Sequence, residues 1–145
     1  MYKLDETDVA IIDVLKTNAR LSTREIAKKS GVPPATVYKR MKRLENDGII
    51  EGYSVNLNNE KLGRDTLAYI LVRTRPEADY MSMMKDITTH QEVEDIAALA
   101  GEFDIFLKVR TKSVKELDRF VFRYLRRFQE VTQTHTMIVF RRWEE

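Results

Sequence analysis

Between Ser22 and Gly48 the chain carries local signals that leave its backbone little choice. Ser22-Thr23-Arg24-Glu25 is a Ser-x-x-Glu capping box, in which a hydroxyl and a carboxylate satisfy each other's backbone N–H groups at a helix start. The helix it opens turns Ile26 and Ala27 inward and is short, because Ser30-Gly31 follows and glycine accepts the left-handed geometry of a sharp turn. Pro33-Pro34 begins a second, longer helix, since proline is tolerated in a first turn. On it Val37, Met41 and Leu44 fall at i, i+4 and i+7 and make one apolar face, and Asp47-Gly48 ends it. Upstream, Asp5 is a cap with Asp8 in the first turn, and Val9, Ile12 and Leu15 follow at helical spacing, with Ile11 widening the stripe. That first helix stops near Asn18.

Three helices with a glycine turn before the last imply a helix-turn-helix, and the last helix carries cations on its outer side. Ala35, Lys39, Lys42 and Arg43 lie opposite the apolar face, with Thr36 and Arg40 on the flank. A duplex major groove admits a helix, presents readable base edges and is rimmed by phosphates. Arg and Lys suit the phosphates, and small or hydroxyl residues at the helix start suit the base edges. Charge distribution agrees. Residues 20–50 hold eight Lys/Arg against three Asp/Glu, a local net of +5, in a chain whose overall net is only +2. Residues 75–104 hold two basic against eight acidic, and residues 110–142 nine basic against three acidic.

Ile49 to Val55 reads as a short strand, and Asn56 to Arg64 as a polar, turn-rich linker. Thr66 to Thr74 is a strand whose unbroken apolar run, Leu67 to Val72, implies burial on both faces. Pro76 starts a helix through Thr88. Strands follow at Val93–Ala100 and Phe103–Arg110, joined at Gly101-Glu102. In the latter, Phe103, Ile105, Leu107 and Val109 alternate with Asp104, Phe106, Lys108 and Arg110. Ser113 and Glu116 make a further capping box, and Val114, Leu117, Val121, Leu125 and Phe128 give its helix an apolar stripe. Val131–Phe140 is the last strand. The order β-α-β-β-α-β predicts a four-stranded antiparallel sheet with two helices on one face. The other face is left for a second copy, so a twofold homodimer is expected. The fold class is therefore α+β, with a DNA-binding domain over 1–50, a hinge strand and linker over 51–65, and a dimerisation domain over 66–145.

These residues resemble the Lrp/AsnC, or feast/famine, family of transcriptional regulators. The likeness runs from Leu4-Asp5-Glu6-Thr7-Asp8 to Asn18-Ala19-Arg20, through Ile26-Ala27 and Gly31-Val32. It continues over Thr36-Val37-Tyr38-Lys39-Arg40-Met41-Lys42-Arg43-Leu44-Glu45 and Gly48-Ile49-Ile50. It returns at Gly101-Glu102-Phe103-Asp104 and Val131-Thr132-Gln133-Thr134-His135-Thr136. The resemblance implies a winged-type helix-turn-helix, a ligand-sensing βαββαβ (RAM, ferredoxin-like) domain, and dimers that often assemble into tetramers or octamers. It implies a recognition helix over Pro34 to Asn46, with Pro34, Ala35, Thr36, Tyr38, Lys39, Arg40, Lys42 and Arg43 toward double-stranded DNA. It implies an amino-acid effector at Gly101, Glu102, Phe103 and Asp104 together with Thr134 and Thr136. The family turn is commonly Gly-Asp-Tyr-Asp; here a longer carboxylate and a phenyl ring replace its second and third residues. Gly101 would let backbone N–H groups approach a carboxylate, and Asp104 or Glu102 could pair with an ammonium. The alternative is a plain hairpin glycine and a plain turn aspartate.

Other chemistries find little support. The chain has no cysteine, which removes disulfides and thiolate ligands. His90, expected to be solvated in a polar loop, and His135, in the last strand, offer no metal-ligand spacing, and no cofactor is expected. No catalytic triad, phosphate-binding glycine loop or paired catalytic carboxylate stands out, so the chain does not read as an enzyme. Trp143 with Arg141 and Arg142 is expected in a packed tail. The start of the sequence has no basic-then-apolar leader, and no apolar run reaches the roughly 18–20 residues that span a bilayer, so a cytoplasmic protein without membrane contact is expected. Two other functions remain open: architectural DNA packing with little sequence choice, and a tetrapyrrole enzyme similar to the sirohaem decarboxylases.

Overall fold

The computed structural model describes residues 3–142, and of Tyr80 the backbone alone; Trp143 lies outside the described residues. The chain divides into two compact units, Met1–Asn56 and Leu57–Glu145. The first holds α1 (Glu6–Thr17), α2 (Thr23–Ser30) and α3 (Pro34–Asn46). Local signals set their ends. Asp5 accepts from the Asp8 N–H while Asp8 accepts from the Asp5 N–H, and the Ser22–Glu25 box closes in the same reciprocal way. Gly31 takes φ 72°, and Gly48 takes φ 69°, where the N–H groups of Ile49 and Ile50 both turn back to the Leu44 carbonyl. Ile11, Leu15, Ile26, Ala27 and Val37 form the core between the helices, with Met41 and Ile50 packed against it.

Two expectations for this unit are corrected. The buried stripe of α1 is Asp8, Ile11 and Leu15, and Val9 is 44% exposed. Reading apolar residues alone placed the stripe one step off, because a charged residue occupies one of its inward positions. No strand forms over 49–55: Gly48 folds the chain back onto the end of α3, Ile50 packs on the helical core, and residues 51–56 have no ladder partner among the described residues. A strand exists only through pairing with another strand.

The second unit holds β1 (Thr66–Thr74), α4 (Tyr80–Thr88), β2 (Val93–Ala98), β3 (Ile105–Thr111), α5 (Val114–Arg119, continued by one π turn over Phe120–Tyr124 and a 3-10 turn over Leu125–Arg127) and β4 (Val131–Ile138). The sheet order is β2-β3-β1-β4, all antiparallel. Ala68, Ile70 and Val72 on β1 and Ile105, Leu107 and Val109 on β3 are fully buried against Met83 and Ile87 of α4 and Leu117, Phe120, Val121 and Leu125 of α5. The expected burial of β1 on both faces is only partly met: on the other face Leu67 is buried, but Tyr69 and Leu71 are half-buried. There Tyr69 stacks near Phe106, with ring centroids 5.5 Å apart.

Several boundaries move for physical reasons. α4 begins at Tyr80, because Pro76 sits in a reverse turn closed by the Ala78 N–H on the Arg75 carbonyl. β2 ends at Ala98 and β3 starts at Ile105, since the Leu99 N–H closes onto the Asp104 carbonyl and residues 100–103 form the connection. β4 stops at Ile138, and Phe140 is 95% exposed. Ser113 caps α5, but Glu116 returns its carboxylate to the N–H of Lys112, one residue before the cap. Val114 is exposed, and the π turn, in which the Leu125 N–H reaches back to Phe120, brings both Phe120 and Val121 to the core. No helix among the described residues is long and apolar enough to cross a membrane.

The α1 stripe is testable within one unit. Ile11→Ala should cost roughly 2–5 kcal/mol of stability, and Val9→Ala no more than about 0.5 kcal/mol. Urea unfolding followed by circular dichroism distinguishes them, and equal losses would reject this assignment of faces.

Candidate nucleic-acid interface

Along α3 the buried positions are Val37 and Leu44, which fixes what faces outward. Pro34, Ala35, Tyr38, Lys39, Lys42 and Arg43 are exposed, while Thr36 and Arg40 are half-exposed. No side chain caps the first turn. Its free N–H groups therefore leave the positive end of the helix dipole open at Ala35 and Thr36. Lys39 makes no ion pair among the described residues, and Lys42 lies 3.6 Å from Glu45 on the same helix. Glu45 also accepts from the Tyr53 hydroxyl.

The other two cations of this helix have partners on α1. Asp8 is fully buried, and one carboxylate oxygen accepts from Arg40 Nη1 at 3.0 Å, the other from Arg43 Nη2 at 2.7 Å. Arg40 also bonds Asp5. The side chains of Arg40 and Arg43 are 25% and 44% exposed. The Asp8 backbone N–H, then the Arg40 guanidinium, hold the Asp5 carboxyl below its ordinary range, and the two carboxylates in turn raise Arg40. Sequence reasoning assigned Asp5 and Asp8 to capping alone and missed this clamp. A signal was present: Asp8 stands three and seven residues before Ile11 and Leu15, on the buried stripe, and a carboxylate there needs a cation.

The residues expected at the effector site lie close in the sheet but are divided between its faces. Gly101 has φ 152°, a conformation open to glycine. Glu102 meets Arg73 twice, through its carbonyl to Nε at 3.0 Å and its carboxylate to Nη2 at 2.7 Å. Phe103 lies under the Arg73 guanidinium and 6.2 Å from His135. Asp104 accepts from the Thr74 N–H and hydroxyl, at 2.6 and 3.0 Å. Thr134 and Thr136 pair with Val72 and Ile70 and so share the helix-bearing face, whereas His135 pairs with Leu71 on the open one. His90 is not the solvated loop residue expected: it is half-buried, packed on Phe120 and Tyr124, and its Nδ1 accepts weakly from the Glu92 N–H. Among the described residues no group of three potential metal ligands assembles.

Residues 4–51 match the family described as winged helix-turn-helix DNA-binding, and residues 67–145 match the Lrp/AsnC ligand binding domain. An uncharacterized HTH-type transcriptional regulator of Pyrococcus furiosus is 37% identical over 139 residues, covering 94% of this chain and 93% of its own. The regulatory protein AsnC of Haemophilus influenzae is 32% identical over 138 residues, with 95% and 92% covered. Among solved structures, a transcriptional regulator of Neisseria meningitidis crystallised with L-Met superposes with a TM-score of 0.92 at 27% identity, over 99% of this chain and 94% of that one. AsnC of E. coli gives 0.86 at 29% identity, over 97% and 95%.

The clamp predicts an asymmetry. Arg40→Met with Arg43→Met strands a buried carboxylate and should cost about 3–5 kcal/mol, whereas Asp8→Asn leaves two partly exposed guanidinium groups that water can reach and should cost less. Denaturant titration of both variants tests this, and the reverse order would reject it. Because Asp5 is held below its ordinary 3.8, its stabilisation is complete above that pH and is lost as pH falls through the lowered value. Asp5→Asn should flatten the acid limb of the stability profile.

Proposed function

The chain belongs to the Lrp/AsnC family of transcriptional regulators, and on that premise we propose that it binds duplex DNA sequence-specifically through the exposed side of α3 as a twofold dimer, under the control of an amino acid. The observation that carries the DNA part is the sorting of the α3 cations. Lys39 and Lys42 stand outward, Arg43 is part outward and part tied to Asp8, and Arg40 is folded back onto α1. In this reading Lys39, Lys42 and Arg43 meet phosphates or base edges, Ala35, Thr36 and Tyr38 approach the bases, Pro34 opens the helix, and Arg40 sets its pose.

The dimer is supported by the open sheet face. Tyr69, Leu71 and Phe106 are half-buried there, and Met137 is 40% exposed, an apolar surface that a second copy would cover. Pairing two such chains gives one particle two α3 helices, and further assembly into tetramers or octamers belongs to the same reading.

The effector part rests on the turn at Gly101–Asp104 and on the relative from Neisseria crystallised with L-Met. The Arg73–Glu102 pair is solvent-accessible on both partners. Such a pair exchanges readily with a zwitterion, whose carboxylate takes the guanidinium and whose ammonium takes the Glu102 carboxylate. Asp104 is already committed to Thr74, so in this reading it shapes the turn and Phe103 bounds the site on the open face, while Thr134 and Thr136, on the helix-bearing face, stand apart from it.

Fluorescence anisotropy with a duplex from upstream of the gene, repeated at several salt concentrations, tests the assignment. Lys39→Ala and Lys42→Ala should each lower the slope of log K against log salt by about one, while Arg40→Ala should leave the slope unchanged. Equal affinity for a random duplex at fixed salt would favour architectural packing and defeat sequence-specific control. Calorimetric titration with L-methionine and other amino acids should give binding that Arg73→Ala removes; no heat with any amino acid would defeat the effector assignment.

A further inference from the structure

A second cationic surface has no role in the reading so far. From Lys112 to Arg127 the chain carries six cations, Lys112, Lys115, Arg119, Arg123, Arg126 and Arg127, against two anions, Glu116 and Asp118. All six cations are exposed. None of them makes an ion pair among the described residues. Of the two anions, Glu116 is half-buried and spends its carboxylate on the backbone N–H of Lys112. The fold explains why these charges collect on one side. Leu117, Phe120, Val121 and Leu125 face the sheet, so the residues between them face solvent. Two of the arginines are braced on rings: the Arg126 guanidinium sits 4.1 Å from the Phe122 centroid, and Arg127 sits 4.4 Å from Tyr124. A stacked guanidinium keeps its N–H edge available for a further partner.

We propose that the outer side of α5 is a second phosphate-binding surface for duplex DNA, additional to α3. From Lys115 to Arg126 it extends about 16 Å along the helix. That length passes several phosphates of one strand, which repeat about every 3.4 Å along the duplex axis. Four of the six cations are arginine, whose planar fork suits a phosphate in two-point contact. A membrane surface fits less well, because the apolar side of α5 is buried in the core and Phe122, lying beneath Arg126, has few exposed apolar neighbours on the helix. The role follows from the chemistry. These contacts carry no base readout, so they add affinity and salt dependence without adding sequence choice.

The inference rests on the DNA-binding reading, and the test separates the two. The full chain, its Arg119→Gln/Arg123→Gln/Arg126→Gln variant and its Lys39→Gln/Lys42→Gln variant are titrated by anisotropy against a duplex long enough to extend well past one operator, at several salt concentrations. The α5 variant should lower the slope of log K against log salt by about 2–3 while keeping the preference for operator over random duplex. The corresponding triple Arg→Lys variant should restore most of the slope, since it restores charge, and far-UV circular dichroism checks that both variants fold. An unchanged slope in the α5 variant beside a lowered one in the α3 variant overturns this inference alone. Unchanged slopes in both overturn the DNA-binding reading itself. Retention of the wild type on phosphatidylserine vesicles, together with an unchanged DNA slope in the α5 variant, would assign the surface to membranes and likewise overturn it.

Discussion

A carboxylate removed from water must find a cation, and in the first unit that requirement organises how α3 sits against α1. Asp8 is fully buried on the inward stripe of α1, and the two guanidinium groups that answer it come from one face of α3. The clamp acts across the helix–helix contact, so it sets the rotation of α3 as well as its position. It also divides the cations. Arg40 is drawn toward α1, Arg43 is tied to Asp8 while staying partly exposed, and Lys39 and Lys42 are exposed. A basic helix thus has two sides with different work, one electrostatically bound to its own domain and one available to a polyanion.

The second unit solves a different problem. A four-stranded sheet has two faces, and one pair of helices covers only one of them. The uncovered face carries rings and aliphatic side chains at half burial. At one end of the same sheet the Gly101–Asp104 turn is tied to β1 by Arg73 and Thr74.

Much of the fold was legible because its instructions are local. The capping boxes at Asp5 and Ser22, the glycine turns at Gly31 and Gly48, and Pro34 at a helix start each act within four or five residues, and α3 spans the predicted Pro34–Asn46. The β-α-β-β-α-β order followed from alternating patterns in the same way. The candidate DNA face was read as a set of residues, and in it Lys39 and Arg43 read alike although Arg43 is tied to Asp8. The strand expected over 49–55 failed for a related reason: its apolar residues fit a strand, yet a strand exists only as one of a pair and no partner stands beside it among the described residues.

The sequence by itself determined where helices begin and end, which strands alternate, and which residues carry charge, because those properties depend on hydrogen bonds and periodicities spanning a few residues. Tertiary structure alone decided the pairing of Asp8 with residues 32 and 35 positions away, the separation of Phe103 from Thr134 and Thr136 onto opposite sheet faces, and the π turn that seats Phe120 and Val121 together. Each depends on how distant elements pack, and packing is fixed by the shapes and charges of neighbours that no local window of the chain contains.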